Sequence, residues 1–141
     1  MRDLIFMKNL IRNITSWHKG GSSSVKPTAI LHIGVEKTGT STIQEFLHLN
    51  RKLLAKNGFW FPKSIGMRNH RTLASCCLID KRSDAFLRMN RLSEPGQRKK
   101  WKQKLIQDFE TELSGLSPEI KHVIISSEHL SSLIKHPAEF L

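Results

Sequence analysis

The sequence lacks any apolar run of the roughly 18 residues that a membrane-spanning helix needs. Its N-terminal segment also lacks the features of a secretion signal, because Lys8 and Arg12 interrupt the apolar residues and no small-residue cleavage site follows. We therefore expect a cytoplasmic chain. Residues 1–18 mix apolar and basic side chains, a composition that also permits weak contact with a membrane surface.

Cysteine is scarce as well, since the 141 residues include only the neighbours Cys76 and Cys77. Adjacent cysteines rarely meet the strict geometry of a disulfide. The sequence contains neither a CxxC pair nor the Cys/His spacing of zinc ligands. We predict no disulfide, no metal site and a reducing compartment, with both cysteines packed as small apolar residues in a helix.

Acidic residues are outnumbered: 12 Asp and Glu stand against 23 Lys and Arg, for a formal net charge of +11. Such a charge attracts polyanions, among them nucleotide phosphates, nucleic acids, acidic glycans and anionic lipids. Five basic residues fall within residues 97–104. A nucleic-acid-binding surface is one interpretation of this segment. A solvated helix face is the one we favour, so no specific nucleic acid is expected as a partner.

Three segments divide the chain. Residues 1–19 carry apolar side chains at helical spacing with basic residues between them, which predicts a basic amphipathic helix. Such a helix can lie on a membrane, but packing on its own domain or on a partner is more common. Residues 20–27 have the composition of a flexible linker. Residues 28–141 are predicted to form an α/β domain.

Strand and helix signals alternate within that domain. Short apolar runs predict strands at 29–33, 59–61 and 123–125. Helical periodicity predicts helices from Ser41 to a stop at Asn57-Gly58, at 73–79, at 85–92, from Pro95 to Gly115, and after His129. In the first helix one apolar face is marked by Ile43, Phe46, Leu47, Asn50, Leu53 and Leu54. The alternation is typical of an α/β fold with a parallel sheet, and a run such as 29–33 is typical of a strand covered on both faces.

The turn at residues 34–39 joins the first strand to the first long helix and has the layout of a phosphate-binding loop. Gly34 and Gly39 permit tight backbone turns. The unpaired N–H groups at the start of the helix attract an anion. Further donors come from one ammonium group and three hydroxyl groups: Lys37, Thr38, Thr40 and Ser41.

This loop departs from the Walker loop that binds ATP or GTP. There the lysine follows the second glycine, whereas here Thr40 takes that position and Lys37 precedes Gly39. The run 123–125 is not followed by the Asp that would help to hold Mg²⁺. A nucleotide kinase or NTPase with an atypical loop is one alternative interpretation. A non-enzymatic basic binding module and a glycine-rich turn without a ligand are the others.

The stretch Glu36-Lys37-Thr38-Gly39-Thr40-Ser41 resembles the Lys-Ser/Thr-Gly-Thr-Thr/Ser loop of sulfotransferases. Its fuller context, HIGVEKTGTSTIQEFL, is similar to bacterial members of that family. Asn69-His70-Arg71 and Ser126-Ser127-Glu128-His129-Leu130 are also similar, so the resemblance covers residues 28–134. It implies a P-loop-like three-layer fold with a parallel sheet. It also implies transfer of a sulfuryl group from PAPS (3′-phosphoadenosine 5′-phosphosulfate) to a hydroxylated acceptor, such as an acidic glycan.

By this resemblance, Gly34 and residues 37–41 would bind the 5′-phosphosulfate end of PAPS. Lys37 would lie at the bridging oxygen between phosphorus and sulfur, where it neutralises charge that develops on the leaving group. One lysine with backbone donors can take the place of a metal ion, so none is expected.

The resemblance also places a proton-accepting Glu or His after a later strand. Glu128 and His129 both follow the run 123–125, at the strand end where ligands gather in open α/β sheets. We favour Glu128 over His129; the alternative is that the pair caps a helix. His70 and Arg71 are candidate contacts to the acceptor or to PAPS. His32 is expected to pack within its strand.

One part of the family pattern has no counterpart. Sulfotransferases bind the 3′-phosphate of PAPS with an Arg and a Ser beyond the base segment, and no such pair follows Leu130. The resemblance therefore implies that residues 28–141 are the N-terminal part of a sulfotransferase domain, with a sheet incomplete at its C-terminus. We expect impaired activity of the 141-residue chain alone, and exposed sheet edges that favour association.

Overall fold

The computed structural model describes residues 27–34 and 39–133, and within them three strands alternate with six helices. The strands are β1 (Thr28–His32), β2 (Phe59–Trp60) and β3 (His122–Ser126). The helices are α1 (Thr40–Leu49), α2 (Arg51–Lys56), α3 (Arg71–Cys77), α4 (Ala85–Met89), α5 (Pro95–Ser114) and α6 (His129–Leu133). The predicted helix of residues 1–19 and all but the last residue of the predicted linker 20–27 lie outside the described residues.

β3 is the central strand of a small sheet, and β1 and β2 flank it in the order β1-β3-β2. Both pairings are parallel, with Ile30 opposite Ile124 and Phe59 opposite His122. The β-branched residues of β3 favour an extended backbone, and residues 123–126 of this strand are buried. The structure thus mixes helices with a small parallel sheet of three described strands, which is compatible with the predicted α/β fold.

Apolar side chains cover both faces of the central strand. Successive residues of a strand point to opposite faces. Val123 and Ile125 pack against α3 and α5, whereas Ile124 packs with Leu47 of α1 and with Phe61. The long helix α5 buries one side chain every four residues toward the first of these faces: Leu105, Phe109 and Leu113.

The two cysteines belong to the core, as the sequence predicts. Cys76 and Cys77 lie at the end of α3 and are buried as free thiols. Burial is the main cause that raises the pKa of the Cys76 thiol above its usual value, and the neighbouring Cys77 adds to it. A thiol that stays protonated in apolar surroundings is unreactive, so the role of this pair is packing.

Some basic side chains of the segment 97–104 pack against the protein, and the others are exposed to solvent. Arg98 is buried, and its guanidinium donates to four backbone carbonyls that follow α3: Leu78, Ile79, Asp80 and Arg82. Lys102 donates to the Leu78 carbonyl as well, at 2.9 Å. These two cations hold the chain after α3 against α5. The exposed cations of the segment are Lys99, Lys100 and Lys104.

β1 and α1 bury less than their sequence patterns predict. Residues 28–31 of β1 are exposed, since within the described residues this strand pairs with β3 alone. The expectation that the run 29–33 is covered on both faces is therefore wrong for the described part of the chain. The first helix buries Thr40, Gln44 and Leu47, and it leaves part of its predicted apolar face in solvent.

The longest described helix, α5, has 20 residues and carries charged side chains along much of its length. Among the helices that the structure describes, none combines the length and the apolar character that crossing a membrane requires.

Candidate functional site

The turn between β1 and α1 opens at the carboxyl end of the sheet. β1 ends at His32 and α1 begins at Thr40, directly after Gly39. Gly39 has φ 80°, in the left-handed region that glycine adopts without strain. Within the described part of α1, no side chain caps the first turn and no acidic residue lies in it. The N-terminal N–H groups of this helix can therefore interact with an anion.

Two of the residues predicted to bind the phosphosulfate, Lys37 and Thr38, belong to residues 35–38, which lie outside the described residues. Their predicted contacts with a phosphosulfate stay predictions. Thr40 and Ser41 are described: Ser41 is exposed in the first turn of α1, and Thr40 is buried against the sheet.

Gly34, which follows β1, lies close to the start of α1. A Cβ atom at this position would come within 2.5 Å of the Thr40 Cγ2 methyl and 3.2 Å of His32 Nε2. The Ser131 hydroxyl oxygen of α6 also lies 3.2 Å from the backbone carbonyl oxygen of Gly34. Gly34 thus brings β1, α1 and α6 together at one point.

The segment after β3 is fixed to the same end of the sheet. The Ser127 N–H donates to the His32 carbonyl at 3.0 Å. The Ser126 hydroxyl lies 2.8 Å from His32 Nδ1, and one of these two atoms donates to the other. His32 therefore packs at the end of its strand, as the sequence predicts. These bonds place the residues that follow Ser127 beside the turn.

Glu128 lies in contact with the start of α1. The Thr40 hydroxyl donates a hydrogen bond to Glu128 Oε2. The other carboxylate oxygen, Oε1, is 3.9 Å from His129 Nε2, and both side chains are less than one-fifth exposed. Three of the residues predicted for the site (Thr40, Glu128 and His129) thus lie together, although Thr40 and Glu128 are 88 positions apart in the chain.

The Glu128 backbone also begins α6. Its carbonyl accepts from the Ser131 N–H at 3.1 Å and from the Ser131 hydroxyl at 2.7 Å. Its carboxylate, however, turns toward Thr40 of the neighbouring helix. The side chain of this residue is therefore directed at the first residue of α1, while its main-chain carbonyl accepts hydrogen bonds within its own helix.

His70 has a different environment from the other predicted residues. Its side chain is fully buried; Nδ1 accepts from the Ser126 N–H at 3.0 Å and Nε2 donates to the Pro62 carbonyl at 3.1 Å. Burial lowers the pKa of this imidazole to about 4, and the Arg51 guanidinium contributes to that shift. His70 is thus a neutral ring near pH 7 that joins the end of β3 to the loop before α3. Its predicted contact with a ligand stays a prediction.

Arg71 extends from the first turn of α3 toward Asp84. Its Nη2 atom is 3.9 Å from Asp84 Oδ2, and about one-third of its side chain is exposed. Asp84 also caps α4 by accepting from the Leu87 N–H at 2.8 Å, and it accepts from the Ser75 hydroxyl at 2.7 Å. The Arg71 guanidinium is therefore held near Asp84. Its predicted contact with the acceptor or with PAPS stays a prediction, as for His70.

Sequence analysis names Ser126 and Ser127 only within the stretch that resembles sulfotransferases and assigns neither residue a role. Both are fully buried at the end of β3, and within the described residues the Ser127 hydroxyl is a buried group without a hydrogen-bond partner. Two small hydroxyl residues directly after a β-branched run were the available signal. Through the Ser126 hydroxyl and the Ser127 N–H, they join the segment before Glu128 to His32 at the end of β1.

In residues 27–34 and 39–133, no three His, Cys, Asp or Glu side chains cluster as metal ligands would. The described residues combine a helix N-terminus without a side-chain cap, the two glycines on either side of residues 35–38, and a carboxylate that accepts a hydrogen bond from a hydroxyl. Such a set can bind an anion and accept a proton beside it. Comparison of the chain with protein-family models, with curated proteins and with solved structures found no match.

Proposed function

We propose that this protein transfers a sulfuryl group from PAPS to the hydroxyl group of an acceptor, and that its α/β domain is of the P-loop-like three-layer kind. The hydrogen bond between Thr40 and Glu128 is the observation that carries the proposal. It brings the predicted phosphate turn and the predicted base into contact. The net charge of +11 favours an acidic acceptor, such as an acidic glycan.

The turn has the features that a terminal phosphosulfate needs. Gly34 lets the end of β1 approach the start of α1 more closely than a Cβ atom would permit, and among the described side chains none caps the first turn of α1 after Gly39. The N–H groups of the first turn, with the hydroxyls of Thr40 and Ser41, would hold the 5′-phosphate oxygens. Lys37 would neutralise charge at the bridging oxygen. PAPS itself supplies the sulfuryl group and an adenosine bisphosphate leaving group.

Glu128 is the proposed base. As the acceptor oxygen forms its bond to sulfur, the bridging sulfur–oxygen bond breaks and its electron pair stays with the leaving phosphate. The acceptor proton moves to the Glu128 carboxylate. His129 lies next to Glu128 and is the second candidate for this step.

Thr40 links binding to the base. A threonine hydroxyl has one hydrogen, so it can donate to Glu128 or to a bound phosphate, but not to both at once. When a phosphate takes that hydrogen, Glu128 Oε2 loses a donor and becomes available for the acceptor proton. The contact that the structure shows is then the arrangement of the free protein.

The assay that tests this function measures adenosine 3′,5′-bisphosphate (PAP) released from PAPS in the presence of hydroxylated acceptors, acidic glycans among them. We expect Lys37→Ala and Glu128→Gln each to lower kcat by about 10²–10⁴, the range of a lost charge-stabilising or proton-accepting group. His129→Gln is expected to have a smaller effect. Lys99→Ala, at an exposed lysine of α5, is the charge-matched control. Undiminished transfer by Glu128→Gln would exclude Glu128 as the base.

A further inference from the structure

A row of large apolar side chains lies in solvent on one side of α1 and α2. Ile43, Phe46 and Leu53 follow one another at helical spacing and are between 45% and 58% exposed. Ile30 of β1 is 39% exposed. We call these four residues the apolar flank.

The flank faces away from β2. On the opposite side of α1, His48 Nδ1 lies 3.0 Å from the Met67 carbonyl. Arg51, at the start of α2, donates to the Phe61 carbonyl at 2.9 Å. These contacts turn the polar side of the two helices toward the loop after β2, so the apolar side lies on the other side of the helices.

Ile30 continues the flank onto the sheet. It is paired with Ile124, so both side chains point to the same face, and Ile124 packs with Leu47 of α1. The outer edge of β1 has no strand partner within the described residues. The apolar flank thus comprises three side chains of the two helices and one side chain of the edge strand, on the sheet face that α1 covers. A surface of this kind marks a docking site rather than scattered single residues.

We propose that residues 4–17 of this same chain cover the apolar flank as an amphipathic helix. Their apolar residues recur at helical spacing: Leu4, Met7, Leu10 or Ile11, Ile14 and Trp17. Basic residues lie between them and would face solvent in such a complex. This inference does not depend on the proposed sulfotransferase activity.

The lengths agree with docking in cis. A 14-residue helix is roughly 21 Å long, and the span from Ile43 to Leu53 in α1 and α2 is roughly 15 Å. Residues 18–27, which connect the segment to β1, can extend over roughly 30 Å. Because β1 is the edge strand beside the flank, the connection reaches it easily. A tether of this length would give the segment an effective concentration on the order of millimolar, well above that of a second copy in dilute solution.

Cysteine cross-linking tests the contact directly. In the full chain, Leu10→Cys with Phe46→Cys would be joined by a short bis-maleimide. Leu10→Cys with Met89→Cys is the control, because Met89 is 83% exposed on α4 and is not part of the apolar flank. The native cysteines are buried. We expect an intramolecular link in the first pair at a rate at least roughly tenfold above the control, as effective concentration at a docked site requires.

Hydrogen exchange gives a second readout that needs no reactive group. We expect the amides of residues 4–17 to exchange roughly tenfold or more faster in Phe46→Asp than in the wild-type protein, and at the wild-type rate in Met89→Asp. Phe46 is more than half exposed, so this substitution leaves the core intact. Equal exchange in the wild type and Phe46→Asp would overturn the proposal. So would cross-links that join only separate molecules, which would assign the flank to a second copy.

Discussion

His70 shows how one buried side chain fixes the geometry near the candidate site. Its two ring nitrogens connect the Ser126 N–H of β3 with the Pro62 carbonyl. Its ring also packs against Phe61, with centroids 4.5 Å apart. Protonation of the ring would add a hydrogen to Nδ1, which accepts from the Ser126 N–H in the neutral form. Two N–H groups would then point at each other. The neutral ring is therefore the form that the fold accommodates.

Stability should fall in acid because of this histidine. The pKa of His70 is lowered from 6.5 to about 4 in the folded protein, mainly by burial. The unfolded chain binds the proton first, so this contribution is complete above pH 6.5 and is lost as the pH falls toward 4. The full loss is about 3 kcal/mol. Urea unfolding from pH 4 to 7.5 should show a shallower slope of stability against pH in His70→Asn.

Leu73→Ala is the control for that measurement. Leu73 is a buried core residue without a titrating group, so its truncation should lower stability at every pH and keep the wild-type slope. A wild-type slope in His70→Asn would show that the ring is not the group responsible.

At the scale of elements, the close approach of β1 to α1 depends on the absence of a side chain at Gly34. Gly34 and Thr40 come so close that a Cβ atom on the first would overlap the Cγ2 methyl of the second. The same threonine donates to Glu128. The packing of the strand end against the helix and the orientation of the carboxylate are therefore coupled.

Gly34→Ala should destabilise the fold by about 1–3 kcal/mol through overpacking, and it should weaken PAP binding. Adding Thr40→Ser removes the Cγ2 methyl but keeps the hydroxyl, so the double variant should regain much of both losses. Chemical denaturation and calorimetry are the measurements. Gly96→Ala is the control: no atom lies within 4 Å of a Cβ there, and alanine in the first turn of α5 should be neutral or stabilising. A double variant as poor as Gly34→Ala would contradict the proposed overlap.

The elements were largely predictable because their signals are local. The β-branched run 123–125 became β3, Glu94-Pro95 begins α5, and the Asn57-Gly58 stop ends α2, where Gly58 has φ 82°. The orientation of α1 was not predictable in the same way. Its buried face includes the polar Thr40 and Gln44, since the turn and the sheet, rather than hydrophobicity alone, set the rotation of the helix.

For the whole molecule, the sheet order depends on contacts that no sequence pattern contains. β3 comes last among the described strands and yet lies between β1 and β2. Its central position requires pairing over more than 90 residues, as between Ile30 and Ile124. That pairing brings Glu128 to the turn. Thr40 and Glu128 could therefore be predicted as site residues from the sequence, but their contact depends on the fold.

The same topology leaves β1 at the edge of the described sheet, next to the apolar flank. β1, which precedes the turn, is thus more exposed to solvent than β3, the other strand of five residues. Covering the flank would stabilise β1 and, through it, the position of Gly34. Binding at the turn and docking of residues 4–17 are separate proposals, but both act on this strand.

The central claim is that the turn before α1 binds the 5′-phosphate end of PAPS. Calorimetric titration of the full chain with PAP, with adenosine 3′-phosphate and with Mg²⁺-ATP tests it most directly. We predict that PAP binds more tightly than adenosine 3′-phosphate, and that Lys37→Ala weakens PAP binding by at least about tenfold, or 1.4 kcal/mol. Lys99→Ala should bind as the wild type does. Equal affinity for PAP in Lys37→Ala and the wild type, or Mg²⁺-dependent ATP binding that PAP does not displace, would contradict the claim.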